Sequence, residues 1–298
     1  MESVKEKLRD VKSGKLTAEE NISKFLEIIK KEDKKINAFI KINKNALKEA
    51  REVDKKITAG KGGKLAGLAI AVKSNINVFN LLTSCASKTL SNYYAPYDAD
   101  VISAIKREDG IIIGMTNMDE FACGSSGETS FYGATGNPAA EGKIPGGSSS
   151  GSAAAVSAGF CDLALGADTG GSIRNPASHC GIVGIKPSYG RVSRYGLIDL
   201  AMSLEQIGPM TNSVYESALL LEIISGKSER DTTTHKEKVP YYEKEIQNTP
   251  KNLTLGLSKD FEKLCTDKKI YESIVNATEK LAREYGWKVK NVKLEHVD

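Results

Sequence analysis

The sequence predicts an α/β fold in which helices cover both faces of a central sheet. Short apolar segments with the character of strands occur at residues 65–78, at Ile111–Ile113 and in "CDLALGADTGG" at 161–171. Segments with helical periodicity lie before, between and after them. Strands that alternate with helices along a chain favour a sheet covered on both sides.

Residues 1–64 are predicted to form an N-terminal helical segment. Thr17 and Glu20 have the spacing of a capping box, and Ile22, Phe25 and Ile29 then recur on one helix face. A second helix is predicted in "NKNALKEAREVDKKI", and the turn "AGKGGK" ends the segment. Residues 65–298 are assigned to the core of the fold.

The core elements follow in order from local pattern. Residues 65–78 predict a strand, and "DADVISAIKREDGIIIGMTN" predicts a helix, a glycine and a buried strand. The loop "GNPAAEGKIPGGSSSGS" at 136–152 leads into a small-residue helix, "AAAVSAG", and then into the strand at 161–171. The polar stretch 226–252 predicts a surface excursion or linker. A strand, a helix and a strand follow in "NLTLGLSKDF", "DKKIYESIVNATEKLAREYGW" and "KVKNVKLEHV".

Composition bounds the class of protein. The 298 residues, 40% of them hydrophobic, suffice for one large α/β domain or two small ones. Five scattered cysteines without a CxxC pair, no apolar leader and no membrane-length apolar run predict a cytoplasmic protein with reduced thiols. Residues 1–64 hold 18 Lys and Arg against 11 Asp and Glu. This surplus indicates either a solvated helical face or a docking surface for an acidic or nucleic-acid partner.

The turn after the strand at 161–171 carries the first candidate for chemistry, Ser172. Gly170 and Gly171 can adopt positive φ and bring backbone N–H groups close to a ligand. If a short helix opens after Ser172, free N–H donors there suit an oxyanion. The alternative is that Ser172 is only a helix N-cap. Asp168 and Arg174 flank the turn and are predicted to pair and brace it.

Other candidates are ambiguous when each is considered alone. The loop "PGGSSSGSAAAVSAG" is either a phosphate cradle or a linker, and it lacks the Gly-Lys-Ser/Thr ending of a Walker A motif. Lys73 ends an apolar strand as either a solvated lysine or a buried lysine whose pKa desolvation lowers. His179, His235 and His296 lack metal-binding spacing and are expected to be packed or solvated.

Taken in order, these segments resemble the amidase signature family. The resemblance is carried by "LAGLAIAVKSNI", "TNMDEFACGSS", "PGGSSSGSAAAVSAG" and "GADTGGSIRNPASHCGIVGIKPSYGRVSRYG", and it covers essentially the whole chain. Within the family, "TNMDEFACGSSGETS", "KPSYGRVSRYGLI" and "SLEQIGPMT" are similar to the glutamine-hydrolysing subunits of tRNA-dependent amidotransferases. The resemblance implies the amidase signature fold with a mixed sheet, left incomplete here because family members extend beyond Asp298.

The resemblance also implies a Ser–Ser–Lys catalytic unit without histidine. Ser172 matches the nucleophile, Ser148 matches a bridging serine that follows a cis peptide, and Lys73 matches the base. The remaining implied roles are an oxyanion hole from the amides of Thr169, Gly170, Gly171 and Ser172, substrate contacts from Gly124 and Ser125, and structural support from Asp168 and Arg174.

The implied reaction is glutamine hydrolysis through an acyl-serine, with the ammonia passing to partner subunits. Amidotransferase subunits B and C are the implied partners, and tRNA is bound mainly through the partner subunit. The partner uses ATP and Mg to amidate misacylated Glu-tRNA(Gln), while this chain holds no cofactor or metal. Groups that recognise the α-carboxylate and α-amino group of glutamine are expected to be missing from it. The alternatives are a stand-alone small-amide amidase and a non-catalytic scaffold.

Overall fold

The computed structural model describes residues 3–295, so His296 lies outside the described residues. The chain divides into two compact units, Met1–Glu243 and Lys244–Asp298, here called the first and second units. The N-terminal segment 1–64 belongs to the first unit, and the division instead falls within the polar stretch 226–252.

The helices and strands alternate along most of the chain. The helices are α1 (Val4–Lys12), α2 (Ala18–Ile36), α3 (Ala46–Thr58), α4 (Asp100–Arg107), α5 (Ser150–Ser157), α6 (Arg174–His179), α7 (Val214–Ile224), α8 (Tyr242–Glu245), α9 (Lys259–Leu264) and α10 (Lys268–Tyr285). The strands are β1 (Phe39–Ile42), β2 (Ala69–Lys73), β3 (Ile111–Thr116), β4 (Leu163–Asp168), β5 (Val183–Gly184), β6 (Gln206–Thr211), β7 (Thr254–Leu257) and β8 (Lys288–Asn291).

The predicted capping box starts α2. Thr17 Oγ1 accepts the Glu20 N–H at 3.1 Å, and the Glu20 carboxylate accepts the Thr17 N–H at 2.8 Å. These reciprocal bonds satisfy two backbone donors that a helix start leaves free. The helix ends at Asn37, which is left-handed with φ 57°. The chain then enters β1, a four-residue strand that the sequence analysis missed.

The first unit contains a six-stranded mixed sheet in the order β1-β3-β2-β4-β6-β5. Strands β3, β2 and β4 are mutually parallel, and β1, β6 and β5 join by antiparallel pairing. Because β1 pairs with β3, the N-terminal segment contributes an edge strand to the sheet as well as helices.

Hydrophobic cores lie on both faces of this sheet. In β2, Ala69 and Ala71 join the core that packs against α2, α3 and α5, while Ile70 and Val72 join the core beneath α4 and α7. This alternation is the period of a strand buried on both faces. The predicted α/β architecture with helices on both faces is therefore confirmed.

The topology brings two predicted site segments to one edge of the sheet. Lys73 is the last residue of β2, and Asp168 is the last residue of the neighbouring parallel strand β4. The carboxyl ends of parallel strands meet at the same edge, where α/β proteins commonly bind ligands. The Ser172 turn leaves β4 at this edge.

The second unit confirms the predicted strand, helix and strand. Strands β7 and β8 pair in parallel, and α9 and α10 lie between them in sequence, as a crossover connection requires. Across residues 3–295, no helix combines the length and apolar character needed to cross a membrane.

Candidate active site

Lys73 is fully buried at the end of β2. Its Nζ lies 2.8 Å from Ser148 Oγ and donates to the Ala167 carbonyl at 3.1 Å. Burial lowers the pKa of Lys73 to about 8, although Glu205 and Asp168 oppose that change. The solvated strand-end interpretation is therefore wrong. A neutral amine here can donate to Ala167 and still accept a proton from Ser148.

The glycine–serine loop presents one serine to this lysine. The Gly147–Ser148 peptide bond is cis, as the resemblance implies. A side chain at Gly147 is impossible without rearrangement, because its Cβ would lie 1.9 Å from Asp119 Oδ2. Ser149 Oγ donates to the Ala167 carbonyl at 3.2 Å, and Ser150 Oγ lies 3.1 Å from Thr135 Oγ1. Ser148 is thus the serine of "SSS" that faces Lys73.

A backbone hydrogen bond links this loop to the Ser172 turn. The Ser149 N–H donates to the Ser172 carbonyl at 3.1 Å. Ser172 itself is 9% exposed. Among residues 3–295, no hydrogen bond is formed by its hydroxyl, which stays available to a substrate. The three members of the implied catalytic unit therefore lie in one region.

The N-cap interpretation of Ser172 is wrong. The cap of α6 is Ile173, and no side chain caps that helix. Gly171 has φ +140°, a conformation that side chains rarely adopt, so this position requires glycine. Gly170 does not have positive φ and has open space around it. The predicted positive φ therefore holds for one of the two glycines.

Asp168 organises the turn from below. It is fully buried, and its two oxygens accept from Arg174 Nε at 3.0 Å and Nη2 at 2.9 Å. It also accepts the N–H groups of Gly171 at 2.8 Å and Ile173 at 3.0 Å. Burial raises the pKa of Asp168, but these bonds outweigh burial and hold it below its ordinary value. The predicted Asp168–Arg174 pair is present.

The predicted set of oxyanion donors needs one correction. The Gly171 amide is already bonded to Asp168, so it is not free for a ligand. In the described part of the chain, the amides of Thr169, Gly170 and Ser172 have no acceptor of their own. Thr169 and Gly170 are also partly or fully exposed. These three amides can converge on a developing negative charge.

The segment that holds Gly124 and Ser125 packs beside the glycine–serine loop. Asn175 of α6 donates from Nδ2 to the Ser125 carbonyl at 3.4 Å. Gly124 lies against Asp119, since a Cβ there would come within 2.5 Å of its carboxyl carbon. The structure brings both predicted substrate contacts to the rim of the site.

Two buried carboxylates at the site were missed from the sequence. Asp119 accepts the Gly127 N–H at 3.0 Å and the Thr129 hydroxyl at 3.0 Å, and so shapes the segment beneath the cis peptide. Glu205 accepts the Thr169 hydroxyl at 2.7 Å. Both lie in segments that resemble the family, "TNMDEF" and "SLEQIGPMT". An acidic residue within an otherwise apolar stretch was the available signal.

The remaining titratable candidates do not enter the site. His179 and His235 are exposed, and no cluster of His, Cys, Asp and Glu within residues 3–295 could hold a metal ion. Burial raises the pKa of Cys85 and of Cys180 to about 12, so both stay protonated near neutral pH. Two cavities of about 430 Å³ in the first unit lie beside α3 and between α1 and residues 57–66, away from Ser172.

The buried lysine, the cis-linked serine and the Gly-Gly-Ser turn define a class of protein. A family model described as Amidase matches residues 20–298. The chain belongs to the amidase family.

Within that family, the curated relatives carry one name, that of the A subunit of glutamyl-tRNA(Gln) amidotransferase. The protein from Methanothermobacter thermautotrophicus is 57% identical over 92% of this chain and 60% of its own length. The protein from Methanocaldococcus jannaschii is 53% identical over 94% of this chain and 63% of its own length. The chain thus spans slightly under two thirds of these relatives.

Solved structures agree on the fold. The corresponding glutamyl-tRNA(Gln) amidotransferase protein from Thermotoga maritima has a TM-score of 0.86 at 40% identity, and the match covers 99% of this chain and 62% of the other. The peptide amidase from Stenotrophomonas maltophilia has a TM-score of 0.90 at 31% identity, and the match covers 98% of this chain and 62% of the other. The amidase signature fold is therefore shared with both a tRNA-linked and a stand-alone enzyme.

Proposed function

We propose that this chain carries the catalytic centre of the glutaminase subunit of a glutamyl-tRNA(Gln) amidotransferase. The observation that carries the proposal is the buried Lys73 Nζ at 2.8 Å from Ser148 Oγ. The shared name of the curated relatives supports the choice of reaction. The substrate is glutamine, and its amide nitrogen leaves as ammonia.

The proposed chemistry passes a proton along two hydroxyls. Neutral Lys73 takes the Ser148 proton, and Ser148 takes the Ser172 proton as Ser172 Oγ attacks the side-chain amide carbon of glutamine. The amides of Thr169, Gly170 and Ser172 stabilise the oxyanion.

Collapse of that intermediate breaks the carbon–nitrogen bond. The proton returns along the same path to the leaving nitrogen, and a γ-glutamyl ester stays on Ser172. Water then hydrolyses the ester, activated by the same lysine and serine, and releases glutamate.

The ammonia is proposed to pass to a partner subunit that amidates Glu-tRNA(Gln). Amidotransferase subunits B and C are the proposed partners, and tRNA is bound mainly through them. ATP and Mg serve the partner's activation step. The residues described here form no metal cluster for that step, and the proposed glutaminase chemistry needs none.

The decisive experiment measures ammonia release from glutamine by this chain, alone and with subunits B and C. Ser172→Ala should abolish release and leave partner binding intact. Ser178→Ala is the matched control, because Ser178 is exposed on α6 and takes no part in the site. Release that persists in Ser172→Ala would refute the proposed nucleophile.

Covalent labelling separates this proposal from a non-catalytic scaffold. An amide-mimicking electrophile should modify Ser172 in the folded chain, with the modified residue identified by mass spectrometry. A folded chain that is never labelled at Ser172 would favour the scaffold.

A stand-alone small-amide amidase is the second candidate. The observation that favours it is the TM-score of 0.90 to the Stenotrophomonas maltophilia peptide amidase. Under this alternative, the chain alone hydrolyses small amides and added subunits leave the rate unchanged. Under the leading proposal, turnover of glutamine depends on the partner subunits.

A further inference from the structure

A buried glutamate links the Ser172 turn to the region of Lys73. Glu205 immediately precedes β6 and is fully buried. Its Oε2 accepts the Thr169 hydroxyl at 2.7 Å and the Leu200 N–H at 2.7 Å. Its Oε1 is buried and has no hydrogen-bond partner within residues 3–295. Because an unpaired buried carboxylate oxygen is costly, this arrangement calls for an explanation.

The charges around Lys73 show what Glu205 contributes. Lys73 is faced by Glu205 from the start of β6, Asp168 from the end of β4, Asp119 from the segment after β3 and Cys85 from the segment after β2. Of these groups, Glu205 has the largest electrostatic effect favouring protonated Lys73.

The other two carboxylates have their own partners. Asp168 is held by Arg174 in a two-pronged ion pair, and Asp119 is bonded to the Gly127 amide and the Thr129 hydroxyl. In the described part of the chain, no lysine or arginine forms a salt bridge with Glu205. Its negative charge is therefore the one left to act on the buried lysine.

We propose that Glu205 is a positioning residue that supplies the buried negative charge facing Lys73 and fixes the Thr169 end of the turn. In the first role it stabilises the ammonium that forms when Lys73 accepts the serine proton. In the second role it holds the residue whose amide is one of the three free oxyanion donors. This proposal rests on the proposed function for its catalytic consequence, but the charge effect on Lys73 can be measured without turnover.

The structure allows charge and hydrogen bonding to be separated. Both hydrogen bonds to Glu205 are accepted by the same oxygen, Oε2. Glu205→Gln can keep its oxygen at that place and put its amide group where Oε1 has no partner, so it removes the charge alone. Thr169→Val removes the hydroxyl and leaves the charge.

The test is a direct titration of Lys73 in the intact 298-residue chain. Lysine labelled with ¹³C at Cε is incorporated, the Lys73 signal is assigned with Lys73→Arg, and its chemical shift is followed by NMR against pH. Glu205→Gln should lower the pKa of Lys73 by about one unit or more, because an opposite charge nearby favours the protonated amine. Thr169→Val should leave the pKa of Lys73 unchanged.

Other outcomes decide against the proposal. An unchanged Lys73 titration in a folded Glu205→Gln protein would overturn it, and so would an equal change in Thr169→Val. If Glu205→Gln does not fold, Glu205→Asp moves the charge without removing it and should give a smaller downward change. No change there would overturn the proposal equally.

Ser172 labelling distinguishes this proposal from the proposed function. The acid limb of the labelling rate should move to lower pH in Glu205→Gln, in step with Lys73. A wild-type chain that is never labelled would refute the proposed function, while the NMR titration would still decide the role of Glu205.

Discussion

Lys7 and Lys73 are both buried in the first unit, yet their surroundings differ in one respect. Lys7, on α1, lies 2.5 Å from Asp162 Oδ1 and 4.6 Å from the centre of the Phe25 ring. Asp162 also accepts the Ala69 N–H at 2.8 Å. Lys73 has a serine hydroxyl and a backbone carbonyl as its nearest polar partners.

This difference separates a structural lysine from a candidate base. A buried ion pair keeps both groups charged, and the pair then fixes the position of its helix. A buried lysine without a directly bonded carboxylate is pushed toward the neutral form, which can accept a proton. Burial alone does not mark a catalytic lysine. The chemistry of its nearest neighbour does.

The largest effect that would break this comparison concerns acylation. Lys73→Met should lower the rate of Ser172 labelling about 1000-fold near pH 8, because the general base is removed. Lys7→Met is the matched control, since it removes a buried lysine from the same unit. Its labelling rate per folded molecule should equal that of the wild type. Equal losses in both variants would contradict the assignment of Lys73 as the base.

Local patterns predicted most of the fold for identifiable reasons. The capping box at Thr17 and the apolar segment that becomes β2 contain their own signals. Strand β1 is only four residues long and follows α2 after two residues, so its pattern merges with that of the helix. Strand β5 has two residues, and β6 contains a proline, which weakens a strand signal.

The site was less predictable because its geometry is non-local. Lys73 and Ser148 are 75 residues apart, and no periodicity indicates that they touch. Resemblance to a family supplied their relation. The occupation of the Gly171 amide by Asp168 depends on turn geometry that composition does not encode. Glu205 was missed because its bond to Thr169 spans 36 residues.

A second expected effect tests the structural lysine. Lys7→Met should reduce the free energy of unfolding by about 4 kcal/mol, because it leaves the Asp162 carboxylate buried without its cation. Urea denaturation measures this change. Adding Asp162→Asn should restore part of the loss, since the uncompensated charge is then gone. A single variant as stable as the wild type would show that the pair does not anchor α1.

The smallest expected effect has the opposite sign and depends on pH. The pKa of Lys73 is about 8 in the folded chain against an ordinary 10.5. Below pH 8, Lys73 is protonated in both the folded and the unfolded chain, so folding bears the full penalty of burying the charge. Between pH 8 and 10.5 the unfolded chain binds more protons, and the stability of the wild type rises with pH. Lys73→Met removes this penalty, which amounts to about 3 kcal/mol, but it also loses two hydrogen bonds worth about 1 kcal/mol in all. The variant should therefore be about 2 kcal/mol more stable than the wild type at pH 7, and the advantage should disappear as the pH approaches 10.5. Urea denaturation at pH 7, 9 and 10 measures the difference, and Lys7→Met, which lowers stability, provides the contrast. A Lys73→Met protein less stable than the wild type at pH 7 would place Lys73 in the same structural class as Lys7.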